Sequence, residues 1–165
     1  MQNGDDFKAG FTFKPIGVIR SPFKEQSGTP IQPRKPGTAR GQVVVDAKFT
    51  EGLLDLDGFS HIWLIYYCHR AGACKLRVKP FLDDGEHGLF AIRAPSRPNP
   101  IGMSAVKLLG ISKNVLEVDG LDVLDDTPLL DIKPYVPAWD SIPDAASGWL
   151  EGRSAKGRKA DDRFD

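Results

Sequence analysis

The sequence predicts a mainly β, single-domain fold, and three observations carry that prediction. Apolar residues recur mostly with a period of two, the apolar runs are short, and turn-forming residues separate them. Seven or eight such strands argue for a barrel or a sandwich. A chain of 165 residues is long enough to bury one real core, and 41% hydrophobic with 27% charged residues is ordinary for a globular protein.

Residues 1–11 read as a loose leader. Ile16, Val18 and Arg20 then alternate with Gly17 and Ile19, and Ser21-Pro22 closes this first strand. Gln26 to Thr38 holds Gly28, Pro30, Pro33, Pro36 and Gly37, so it is a long loop, and loops of that length inside a domain are often functional. Gly41 to Asp46 is a short strand around Val43, Val44 and Val45. Phe59 to Cys68 is the strongest strand, apolar or aromatic almost throughout, which predicts burial on both faces or packing against a partner. Leu76 to Lys79 and Leu89 to Arg93 are further short strands. Met103 to Ile111 and Val115 to Val123 flank Ser112-Lys113-Asn114 as a hairpin. A last extended piece runs from Leu130 to Lys133. Helical signal is confined to Pro143 to about Lys156, with Asp144 near its start and Gly148 weakening it.

Arg97-Pro98-Asn99-Pro100-Ile101-Gly102 is the stiffest stretch. Each proline fixes its own φ, lacks an N–H and pushes its predecessor toward extended geometry. The loop is a preordered surface for a polar small molecule, or a plain turn between strands. Asp122 to Tyr135 is the second dense segment. Its Asp122, Asp125, Asp126 and Asp131 either accept hydrogen bonds or a proton from a ligand, or simply form a turn before Pro128. The aromatics of Phe59-Ser60-His61-Ile62-Trp63 read as core.

Several function classes are excluded. No G-x-G-x-x-G, P-loop or G-x-S-x-G sequence is present, which removes the common dinucleotide, NTP and α/β-hydrolase folds. Cys68 and Cys74 form no C-x-x-C pair. His61 and His69 would lie about 27 Å apart on one straight strand, so no metal site is expected. No run approaches the roughly 20 apolar residues of a membrane span, and Met1 to Gly10 carries no apolar signal core, so the expected location is cytoplasmic with no membrane partner. With 22 basic and 22 acidic residues there is no global pull on nucleic acid, and any such binding is local.

Four motifs in one order resemble a known family: Ile16-Gly17-Val18-Ile19-Arg20-Ser21-Pro22-Phe23, Phe59-Ser60-His61-Ile62-Trp63, Arg93 with Arg97-Pro98-Asn99-Pro100-Ile101-Gly102-Met103-Ser104, and Asp125 to Tyr135. The combination resembles the TsaA-like (YaeB, TrmO) tRNA adenosine N6-methyltransferases. The resemblance implies a barrel-like antiparallel or mixed sheet with long loops over residues 12–143, followed by a short helix and charged tail over 144–165. It also implies a homodimer with a shared cofactor pocket for S-adenosylmethionine, and methylation of N6 of threonylcarbamoyl adenosine beside the tRNA anticodon. The implied cofactor residues are Pro33, Arg34, Lys35, His69, Arg70, Arg93, Met103, Asp119, Gly120, Leu121 and Asp122. Asn99, Asp122 and Asp125 are catalytic candidates by chemistry, because a delocalised adenine amine needs alignment and an acceptor for its hydrogen more than brute activation. Asp126 stands where the family commonly has glycine, and Ala94-Pro95-Ser96 departs from the commoner Ser or Thr forms. Longer members carry an additional C-terminal domain, so its tRNA contacts are expected to be missing here. The alternatives are methyl transfer to another RNA or small molecule, and a non-enzymatic S-adenosylmethionine-binding module.

Overall fold

Alternation along the chain becomes a closed antiparallel barrel in the computed structural model, which describes residues 10–25, 39–80 and 82–153. The strands are β1 (Gly17–Arg20), β2 (Arg40–Val45), β3 (His61–Tyr67), β4 (Arg77–Val78), β5 (His87–Gly88), β6 (Ile101–Ser112), β7 (Val115–Asp119) and β8 (Thr127–Pro134). Six of them ring the core in the order β1-β2-β7-β6-β3-β8, while β4 and β5 form a separate ribbon. Every pairing is antiparallel. Closure leaves no open edge among these six strands, which removes the main liability of a small sheet.

Inward positions are filled by Ile19, Val43, Val45, Ile62, Leu64, Val106, Leu116, Val118 and Leu129, all essentially inaccessible to water. Branched aliphatic side chains fit the pleated wall and fill a narrow barrel without polar atoms. The register shifts between Ile65 and Tyr66 against β8, and between Leu108 and Gly110 against β7. Such irregularities bend strands and let a short sheet curl shut. The β6–β7 turn is Lys113-Asn114, with Lys113 at φ 55°. Its tip is tied to β2, since Asn114 Nδ2 donates to the Val45 carbonyl at 2.6 Å and Val45 N–H donates to the Asn114 carbonyl at 2.9 Å.

Several expectations are corrected. The stretch Leu89 to Arg93 is not a strand: Leu89–Ala91 is a 3-10 turn in which only Leu89 is buried, and the Arg97 guanidinium takes the Leu89 and Ile92 carbonyls that a ladder would need. β3 is not buried on both faces. Ile62, Leu64 and Tyr66 point inward, while His61, Trp63 and Ile65 are half-covered outside, Trp63 lying 5.4 Å from the Tyr135 ring. Because β3 stops at Tyr67, His69 lies beyond it and the straight-strand spacing does not apply.

The hairpin strand expected to reach Val123 ends at Asp119, where Gly120 at φ 90° turns the chain and delivers Leu121 and Val123 to the core without pairing. No helix spans Pro143 to Arg153; Gly148 at φ 56° opens a single 3-10 turn, Gly148–Leu150, and residues 154–156 lie outside those described. The segment takes its course from tertiary contacts instead. The Trp149 ring stacks on His87 at 4.3 Å and its Nε1–H donates to the Ala91 carbonyl at 2.7 Å. A four-residue helix, α1 (Pro137–Asp140), arises where none was expected, with proline starting its first turn.

Candidate functional site

One polar cluster interrupts the apolar interior where β3 finishes and β6 begins. Ser104 occupies an inward position of β6 in the series with Val106 and Leu108, directly opposite Leu64 on β3. Its hydroxyl donates to Asp122 Oδ1 at 2.6 Å, and the Tyr66 hydroxyl lies 3.0 Å from the same Ser104 oxygen. Tyr66 reaches it because Gly102 is its cross-strand partner: a Cβ at Gly102 would overlap the Tyr66 ring.

Burial, opposed by the Ser104 hydrogen bond, by the Asp122 backbone N–H and by the Arg93 charge, pushes the Asp122 carboxyl up to about 6. Desolvation disfavours the ion, and the three favourable interactions recover only part of that cost. The Tyr66 phenol is raised by burial and then by the Asp122 charge, so it stays protonated. Burial and Asp122 also push the Cys68 thiol up to about 11, partly offset by Arg97. A thiol held protonated is a poor nucleophile, which leaves the carboxylate as the reactive group of the cluster.

The proline-bracketed loop is fastened beside this cluster. The Pro100 carbonyl accepts from Cys68 N–H at 2.7 Å, and the Asn99 carbonyl accepts from Ile101 N–H at 2.7 Å. Arg97 lies 5.6 Å from the Phe90 ring and donates to the Ile92 carbonyl at 2.8 Å. Asn99 itself is exposed, as is Arg93, whose charge acts on both Asp122 and Tyr66. The Ser96 hydroxyl is buried with no hydrogen-bond partner among the described residues.

The expected site residues fall into distinct places. Asp122 sits in the cluster. Asp119, Gly120 and Leu121 close the end of β7 around Ala39: Gly120 and Leu121 N–H groups both donate to the Ala39 carbonyl at 3.1 Å, and Asp119 Oδ1 accepts from Gly120 N–H at 2.9 Å. They anchor Ala39, the residue before β2. Pro33, Arg34 and Lys35 lie outside the described residues. His69 follows β3, and burial, then the Arg70 charge, hold its imidazole below the ordinary range and so neutral at pH 7. Arg70 donates to the Lys24 carbonyl at 2.6 Å. Met103 projects from the outer face of β6, because neighbours in a strand point to opposite sides. It is 53% exposed there, with Ile101 and Tyr67 also open to solvent.

Asp125, three residues from Asp122, is placed in a separate network. Its Oδ1 accepts from Ser21 N–H at 2.9 Å and its Oδ2 pairs with Lys24 Nζ, tying the end of β1 to the approach to β8. The Lys24 hydrogen bond, helped by Ser21 N–H and by the Lys24 and Arg20 charges, holds its carboxyl below the usual range. Asp125→Ala should therefore destabilise the fold by about 1 kcal/mol at pH 7. A depressed folded-state value contributes stability above the unfolded value and loses it as pH falls, so urea unfolding should show the variant and the parent converging toward pH 3. Asp126 follows at φ 62°, in the left-handed region that favours glycine, and pairs with Arg20.

Sequence reasoning missed Tyr66 and Ser104. A usable signal was present: Ser104 keeps inward parity with Val106 and Leu108, and a hydroxyl pointing into an apolar barrel must find a partner.

A closed antiparallel barrel whose strand ends and loops gather a buried carboxylate, two hydroxyls and arginine charge is a binding barrel of a different kind from the nucleotide-binding α/β folds. This chain belongs to the tRNA-methyltransferase O N-terminal domain family, whose model matches residues 18–141. It is 49% identical over 150 residues to a probable S-adenosyl-L-methionine-binding protein of Pyrococcus abyssi, covering 91% of this chain and 82% of that one. Identity to the tRNA (adenine(37)-N6)-methyltransferase of Escherichia coli is 36% over 157 residues, covering 89% of this chain and 67% of the enzyme. A crystal structure of TrmO from Pseudomonas aeruginosa superposes with a TM-score of 0.72 at 40% identity, covering 85% of this chain. This chain spans 62% of that crystallised protein. No helix among the described residues is long and apolar enough to cross a membrane.

Proposed function

We propose that this protein is a cytoplasmic, S-adenosylmethionine-dependent methyltransferase that modifies N6 of adenosine beside the tRNA anticodon, with threonylcarbamoyl adenosine as the acceptor. The observation that carries the reading is the Asp122 carboxylate, held by Ser104 beside the Arg93 charge, in a chain 36% identical to an enzyme named a tRNA (adenine(37)-N6)-methyltransferase.

The donor set fits the cofactor. Arg93 offers a cation for the methionyl carboxylate, Asp122, one oxygen of which Ser104 holds, offers its other oxygen as an acceptor, and the Tyr66 ring supplies an apolar wall. When bound, the cofactor would supply the methyl group of its sulfonium, the S–C bond breaking as N6 attacks and a neutral thioether leaving. Asp122 accepts the hydrogen bond of the adenine N6–H and takes its proton as the new N–C bond forms. With its carboxyl near 6, Asp122 is mostly ionised at pH 7, yet basic enough to hold that proton. Asn99, exposed on the rigid loop, provides a second polar contact to the base.

Homodimer formation with a shared pocket belongs to the same proposal. Its support is the outward direction of Met103, whose side chain cannot meet Asp122 within one barrel wall, among the exposed Ile101 and Tyr67. Cofactor affinity should then fall when the protein is diluted below its dimer constant.

Calorimetric titration with S-adenosylmethionine tests the cofactor half. Arg93→Ala should weaken binding roughly tenfold, the loss of one charged hydrogen bond, and undiminished binding would remove Arg93 from the pocket. The acceptor half is tested by tRNA binding across a salt series. Phosphate contacts predict a steep fall in affinity, with log K decreasing by about 0.7 per contact per decade of salt for a single-stranded loop. Tight cofactor binding with no methyl transfer to any tRNA would favour the binding-module reading.

A further inference from the structure

We propose that Tyr66 and Ser104 are positioning residues that act as a directed hydrogen-bond relay for Asp122, fixing one carboxylate oxygen and leaving the other for the substrate. The proposal rests on the role given to Asp122 above, and it adds two residues of the barrel wall to the reactive group.

The direction of the relay follows from the groups involved. An ionised carboxylate only accepts, so at neutral pH the Ser104 hydroxyl must donate to Asp122 Oδ1 at 2.6 Å. The Ser104 oxygen is then free to accept, and the Tyr66 phenol 3.0 Å away is protonated and donates to it. Both hydrogen bonds point toward Asp122, and each polarises the next. Tyr66 is held by its buried ring, whose approach depends on the missing Cβ of Gly102. Ser104 is 2% exposed on the opposing strand. Neither donor can turn away to water, so Ser104, itself held by Tyr66, keeps Oδ1 engaged while Asp122 exchanges a proton at Oδ2.

The electrostatic setting of Asp122 is enclosed by few groups. Ser104 faces it from β6, Tyr66 and Cys68 from β3 and the residue following it, Arg93 from the loop before the proline-bracketed segment, and its own N–H from the backbone. Arg97 acts on Cys68. Tyr66 and Cys68 are both neutral at pH 7, so the Ser104 hydrogen bond, the Asp122 backbone N–H and the Arg93 charge are what oppose the desolvation of the carboxylate. Removing a relay donor should raise the Asp122 midpoint.

The test is the pH dependence of single-turnover methyl transfer to threonylcarbamoylated tRNA by the full chain, for the parent, Tyr66→Phe and Ser104→Ala. Ser104→Ala should move the acid limb upward by about one pH unit, so that turnover at pH 6.5 falls about threefold and recovers by pH 8.5. Tyr66→Phe, which keeps the ring, should move it the same way by less. Uniform loss at every pH, with the limb in place, would overturn the relay and leave the pair as packing. Carboxyl 13C NMR titration of Asp122 in the free protein is an independent readout. A raised midpoint in both variants supports the relay even if the parent methylates nothing, an outcome that would refute the acceptor assignment alone. An unchanged midpoint overturns the relay whatever the activity.

Discussion

Asp122→Asn should lower methyl-transfer turnover by about 10²–10⁴-fold while leaving S-adenosylmethionine affinity within about tenfold of the parent. The amide keeps the shape of the carboxylate, and its oxygen still accepts from Ser104, but it cannot take the proton released from N6. Stability supplies the control. A carboxyl raised to about 6 in the fold binds a proton there that the unfolded chain, near 4, has already lost. Folded protein therefore loses stability as pH rises from about 4 to 6, by at most roughly 3 kcal/mol, and the loss is complete above that window. Asn at this position is neutral throughout. The variant should be at least as stable as the parent at pH 7, and its unfolding free energy should lack the decline between pH 4 and 6. An inactive protein with undiminished stability separates a chemical role for Asp122 from a structural one. Asp122→Asn with parental turnover would clear the residue and point to Asn99 or a backbone acceptor.

The barrel wall was legible wherever alternation had a single cause. Ile62, Leu64 and Tyr66 alternate with His61, Trp63 and Ile65 because only the inner face needs to be apolar. Composition leaves open whether the outer face of this run is buried or packs against a partner, since Trp63 and Ile65 are as apolar as the residues behind them. Composition cannot show that Tyr135 is what covers Trp63 from outside. Local pattern also misled at Leu89 to Arg93, where five mostly apolar residues meet no strand, and Arg97, eight residues past Leu89, takes the free carbonyls.

In the site, stiffness of the Arg97 to Pro100 loop followed from proline chemistry, and its docking on Cys68 required the fold. Asp122 and Asp125 were indistinguishable by residue type. Their difference lies in partners far along the chain: Ser104 for one, and Ser21 with Lys24, about a hundred residues away, for the other. Register, not composition, decides such pairs. The Ser104 hydroxyl shows why, because its meaning depends on Tyr66 being drawn over Gly102 and on Gly120 turning the chain back toward β6.

Leu64→Ala should cost about 2–5 kcal/mol of unfolding free energy, the range for a large-to-small change in a close-packed interior. Leu64 is wholly buried, and it lies across the sheet from Ser104 on one side and Ile132 on the other. The barrel is too narrow to collapse around the loss, since β3 is locked to β6 and β8 along both edges. Leu109→Ala is the matched comparison: the same substitution on β6, at a site 42% exposed, should change stability by no more than about 1 kcal/mol. Denaturant unfolding of both, with equal slopes, would confirm which face of the wall is the interior. The functional consequence distinguishes this damage from loss of the relay. A Leu64→Ala protein that remains folded at low temperature keeps the Ser104 and Tyr66 hydroxyls, so its acid limb should stay in place while its melting temperature falls. If instead the limb moves with the melting temperature, the protonation of Asp122 is set by packing of the whole wall and not by the two hydroxyls.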